Sequence, residues 1–135
     1  MKNLIIAAAG ILLIGCTPDS QTSEKALLTE SFIIHTVKHE HVSDGVGQGL
    51  EFSKNDFYFE ADKKKITWFE EGEYTPWVFN LEKESSKNSL IVTEEGHEGR
   101  LLFKISADQK TIKVMPTSEQ GVSISSDGMD IFYTE

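Results

Sequence analysis

The sequence predicts an all-β domain, an antiparallel meander of eight to ten short strands. Three observations carry that expectation. From Ser31 onward, apolar and polar residues alternate with a period of two, in runs rich in β-branched and aromatic side chains. Clusters of Gly, Asn, Asp and Ser break those runs at a spacing of about ten residues. No amphipathic helical stretch of ten or more residues appears among them. Such a meander buries its apolar faces either as a small closed barrel or as a two-sheet β-sandwich.

Taken in order, Ser31 to Val42 reads as one long strand. Alternation puts Phe32, Ile34, Thr36 and Lys38 on one face and His35, Val37, His39 and His41 on the other. Ser43 to Gly49 reads as a glycine-rich loop, Leu50 to Phe52 as a short strand, and Lys54-Asn55-Asp56 as a turn. Phe57 to Ala61 and Ile66 to Phe69 flank a hairpin turn over Asp62 to Lys65. An acidic turn around Gly72 leads to a strand from Pro76 to Leu81, in which Trp77, Phe79 and Leu81 share a side. Ser85 to Asn88 is a turn, Leu90 to Val92 a strand and Glu94 to Gly99 a loop. Leu101 to Ile105 and Ile112 to Val114 flank the turn Ala107 to Lys110. Val122 to Ile124 and Met129 to Tyr133 flank Ser126-Asp127-Gly128.

Ahead of the domain stands a segment of another kind. Lys2 is followed by an uncharged apolar run, Leu4 to Ile14, and then by Gly15-Cys16. As a helix that run is about 16 Å long, against about 30 Å of hydrocarbon, so it is a secretory signal and not a membrane span. Leu13-Ile14-Gly15-Cys16 resembles the lipobox of bacterial lipoproteins. The resemblance implies diacylglycerol on the Cys16 thiol, cleavage between Gly15 and Cys16, and acylation of the freed amine. Cys16 is the only cysteine, so lipidation also spares an exported chain an unpaired thiol in an oxidising compartment. Two or more acyl chains anchor a protein effectively for good. Thr17 follows the cysteine where Asp would resemble an inner-membrane retention signal, so the outer membrane is favoured. The organisation expected is residues 1–15 as signal peptide, 16–30 as lipidated cysteine and polar tether, and 31–135 as a single β domain.

The full chain carries 13 Lys and Arg against 22 Asp and Glu, a net charge of −9. Loss of the signal removes Lys2 and leaves −10. An acidic surface disfavours nucleic acid and favours basic protein partners. With no disulfide available, packing alone must hold the domain together.

Four candidate chemistries can be placed on the chain. His39 and His41 form a His-x-His pair on a strand, which aims both imidazoles the same way, and His35 and the more distant His97 could complete a zinc site. Gly45-x-Gly47-x-Gly49 lacks the following helix that a phosphate cradle needs. Glu70-Glu71 with Glu73, and Glu94-Glu95 with Glu98, lie in polar turns, where they read as solvated carboxylates, with docking of a basic partner the alternative ahead of acid catalysis. Trp68 and Trp77, with Phe57, Phe59 and Phe79, sit at alternating positions that fill a core or line a ligand pocket. No nucleophile motif is present, so the chain is not expected to be an enzyme, and no cofactor is expected beyond the lipid on Cys16 and the zinc that the histidines could bind.

The strand rhythm is similar to that of small lipocalin-like bacterial lipoproteins, although the Gly-x-Trp that opens many lipocalins is absent before the first strand. The resemblance bears on fold alone. The function expected is that of an envelope lipoprotein acting as a protein-binding module, in an inhibitor, immunity or assembly role. A carrier of small apolar ligands and a periplasmic zinc-binding protein are the alternatives.

Overall fold

The structure, a computed structural model, describes residues 27–86, 88–117 and 128–135. The expected signal segment, Cys16, most of the expected tether and the expected strand Val122 to Ile124 lie outside the described residues. Eight strands follow one another: β1 (Phe32–Ser43), β2 (Val46–Glu60), β3 (Lys65–Glu70), β4 (Trp77–Ser86), β5 (Ser89–Glu94), β6 (Arg100–Ile105), β7 (Thr111–Thr117) and β8 (Met129–Tyr133). Each pairs antiparallel with the next, and β8 pairs with β1, from Lys38 opposite Tyr133 to Val42 opposite Met129. The expected meander is therefore a closed barrel and not a sandwich. Closure pairs every strand on both sides over part of its length.

The alternation read from the sequence fills the barrel. Phe57 and Phe59 on β2, Ile66 on β3, Phe79 on β4, Leu90 and Val92 on β5, Phe103 and Ile105 on β6, Ile112 and Val114 on β7 and Phe132 on β8 form one buried cluster. Phe57 stacks at 5.4 Å on Trp68 and meets Phe132 edge-on at 5.0 Å. Burying each such phenylalanine contributes about 1.5–3 kcal/mol relative to exposure. Ile91, Leu102 and Met115, with Met129, make a second cluster on the opposite face of the wall. Consecutive buried pairs such as Ile91-Val92 and Leu102-Phe103 mark the part of the wall that is covered on both sides.

The two ends of the barrel differ. The base carries the start of β1 and the β2–β3, β4–β5 and β6–β7 turns. A single 3-10 turn, Leu27–Thr29, closes it. Leu28 joins the core cluster, and its backbone N–H donates to the Glu84 carboxylate at 3.0 Å. Phe32 stacks on Phe59 at 4.5 Å. Leu28, which lies within the expected tether, thus packs into the barrel, because an apolar side chain at the end of the polar stretch plugs the base.

The other end, the mouth, is surrounded by the β1–β2 hairpin tip, the β3–β4 and β5–β6 loops and the start of β8. Here the structure corrects two expectations. The loop over Ser43 to Gly49 is only a two-residue turn, Asp44-Gly45, with φ of 51° and 75°, a left-handed pair suited to the strand twist of a tight hairpin. The turn expected at Lys54-Asn55-Asp56 is absent, and β2 runs through it. The register shifts once between Thr36 and Lys38 and again between Glu40 and Val42. Bulges absorb the residues that looked like breakers. Among the described residues, no helix is long and apolar enough to cross a membrane.

Candidate functional site

The first register shift decides where the histidines point. Ile34 and Thr36 face the interior, as the alternation predicts, and His35 faces out. At Val37 the alternation slips by one. His39 pairs with the inward Phe132 and stacks on its ring at 4.7 Å, while Lys38 stands on the outer face with its ammonium 5.8 Å from the Phe52 ring centre. His39 and His41 therefore face the mouth, and His35 does not share their side.

The structure brings His39 and His41 together on Asp130 of β8. His39 Nε2 lies 2.8 Å and His41 Nδ1 3.0 Å from the same oxygen, Asp130 Oδ1. A carboxylate only accepts, so each of those ring nitrogens carries the hydrogen. His35 instead pairs with Asp56 on the outer wall at 2.6 Å, and His97 with Glu94 in the β5–β6 loop at 3.1 Å. The four histidines named from the sequence thus occupy three places. Among the described residues, no group of three or more His, Cys, Asp or Glu is arranged to hold a metal ion. Cys16 lies outside the described residues.

Trp68 and Trp77 meet at the mouth, where β3 ends and β4 begins. Their rings stack 6.0 Å apart, and Trp68 also meets Phe132 edge-on at 5.1 Å. The Trp68 indole N–H donates to Asn55 Oδ1 at 2.8 Å, and the Asn55 amide nitrogen donates to Ser53. An aromatic layer made of His39, Phe132, Trp68 and Trp77 thus crosses the mouth above the phenylalanine core. Asp130 and Asn55 are the residues that sequence reasoning missed. Their signal was a polar side chain at an inward position of an otherwise apolar strand.

The mouth end also displays apolar side chains to solvent. Val46, Leu50 and Phe52 on the hairpin, Phe69 near the end of β3, Tyr74 in the β3–β4 loop and Trp77 are all exposed, Phe52 at 82% and Tyr74 at 100%. Such large apolar groups normally lie inside; most of the exposed ones among the described residues lie toward this end, with Ile33 toward the base and Val37 midway along β1. The acidic turns border the same end, with Glu70, Glu71 and Glu73 in one and Glu94, Glu95 and Glu98 in the other. On the outer wall beside the hairpin, the Tyr133 hydroxyl donates to Glu40 at 3.2 Å. Burial, then the Glu40 hydrogen bond and charge, raise the Tyr133 pKa above its ordinary value.

In comparisons with protein-family models, curated proteins and solved structures, nothing matches this chain. The functional reading therefore rests on the residues themselves.

Proposed function

We propose that the chain is a lipid-anchored envelope lipoprotein whose barrel is a non-catalytic protein-binding module, and that the mouth end is its docking face. The supporting observation is an axial asymmetry. The chain enters the barrel at its base through Leu27–Thr29, whereas Val46, Leu50, Phe52, Tyr74 and Trp77 are exposed at the opposite end. A lipid on Cys16 would hold the base toward the membrane and turn the aromatic end away from it. Trp, Tyr and Phe are the residues over-represented in the buried centres of protein interfaces. The interior favours this reading over a carrier of apolar ligands, because Phe57, Phe59, Phe79, Phe103 and Phe132 pack the barrel to at most 1% exposure.

The test is capture of envelope proteins by the full chain in detergent, at low and at physiological salt, followed by mass spectrometry. The expected result is one stoichiometric partner that is retained by the parent and lost by the Phe52→Ser, Tyr74→Ser variant. Equal recovery of the same proteins by both chains would sink the docking face. For the anchor, Cys16→Ser is expected to leave an uncleaved precursor without acyl label. A variant that still matures and stays in the membrane fraction would refute lipidation.

A further inference from the structure

Between the β3–β4 loop and the end of β5 lies an open groove of about 430 Å³. Pro76, Trp77 and Val78 supply its apolar surface, and Glu73, Glu94 and Glu95 its carboxylates. We infer that this groove receives a cationic side chain, arginine or lysine, from a basic partner protein. The inference rests on reading the mouth end as a docking face and assigns the chemistry of what docks there.

The geometry suits a cation. Trp77 is stacked against Trp68 yet remains 41% exposed, which leaves indole surface for a guanidinium or ammonium to cover. The groups around it are fixed by backbone bonds. The Glu95 N–H donates to the Val78 carbonyl at 2.8 Å, and the Glu73 N–H to the Glu70 carbonyl at 3.1 Å. Glu94 is held from one side by His97 Nδ1 at 3.1 Å. Among the described residues, neither Glu73 nor Glu95 forms an ion pair, so their carboxylates remain available to an incoming charge. An anion would meet three carboxylates. A neutral apolar group would strip them of water without replacing it. The net charge of −9 draws the same class of partner from a distance.

The probe is the peptide acetyl-Gly-Arg-Gly-Arg-Gly-amide, titrated into the full chain in detergent. The readout is the Trp77 emission, taken as the difference between the parent and Trp77→Phe. A matching peptide with citrulline in place of arginine keeps the shape and removes the charge. The expected result is a saturable change with arginine, none with citrulline, and a dissociation constant raised at least fivefold in Glu73→Gln, Glu95→Gln. The control Glu30→Gln, Asp62→Asn removes the same charge at the base and is expected to change it less than twofold. Equal weakening by the two double variants, or equal binding of the citrulline peptide, would overturn the groove as a cation site. A protein captured through Phe52 and Tyr74 that ignores Glu73→Gln, Glu95→Gln would overturn the groove while leaving the docking face intact. Arginine-specific titration without any capture would overturn the docking face alone.

Discussion

The Trp68 indole donates its N–H to the side-chain carbonyl of Asn55, 2.8 Å away, and so ties β3 to β2 where the barrel opens. Asn55 is 2% exposed and stands at an inward position beside Phe57. Asn55→Ala would leave a partly buried donor without its acceptor, at a cost of about 1–3 kcal/mol. The expected outcome is a lower midpoint of urea unfolding with an unchanged slope.

The barrel core sets a larger scale. Phe57 touches Trp68, Phe103 and Phe132 and is fully buried. Phe57→Ala is expected to destabilise the domain by about 3–5 kcal/mol, whereas Tyr74→Ala, fully exposed in the loop, should stay within about 0.5 kcal/mol. Denaturant curves of the two variants side by side check both. A comparable loss from Tyr74→Ala would contradict its assignment as a surface contact residue.

Leu28 offers a test of where the domain begins. It closes the base with its side chain, and its N–H is bound to Glu84. Leu28→Ala should cost at least about 2 kcal/mol, the lower part of the range for buried leucine. Thermal unfolding indistinguishable from the parent would show that the fold starts at β1.

Tyr133 yields a pH dependence. Burial and Glu40 raise its pKa, so the folded chain holds the phenol proton more tightly than the unfolded chain does. The associated stability is present below the unfolded value, near pH 10, and is lost as pH rises through the folded value. Alkaline titration of the midpoint should show this loss, and Tyr133→Phe should flatten it. Gly47→Ala should act on the same pair, because its Cβ would fall 2.0 Å from Glu40 Oε1 and push the carboxylate away.

Much of this molecule was legible in its alternation. Phe57 to Ala61, Ile66 to Phe69 and Leu101 to Ile105 read as strands and fall on β2, β3 and β6, with only Ala61 just past its strand, because two-residue periodicity and a barrel interior impose the same constraint. The errors fell where one residue type serves two purposes. Gly47, Gly49 and Asn55 read as turn formers. In the structure Gly47 makes room for Glu40, Gly49 takes a φ of 115° beside a register shift, and Asn55 serves an indole. The partner of His39 and His41 was hidden for another reason. Pairing of β8 with β1 brings Asp130 across 91 residues of sequence separation, and the slip at Val37 depends on strand register, which no local pattern encodes.

β2 is one strand living two lives. From Asn55 to Phe59 it is paired on both sides, with β1 and with β3. Among the described residues, Val46 to Phe52 pair with β1 alone. Backbone amides in the lower half should exchange with solvent only when the whole barrel opens, and those in the upper half by local fraying. The hairpin that carries Leu50 and Phe52 can therefore adjust its shape to a bound surface without loosening a single core contact, so that adaptability and rigidity are divided along the length of one continuous strand.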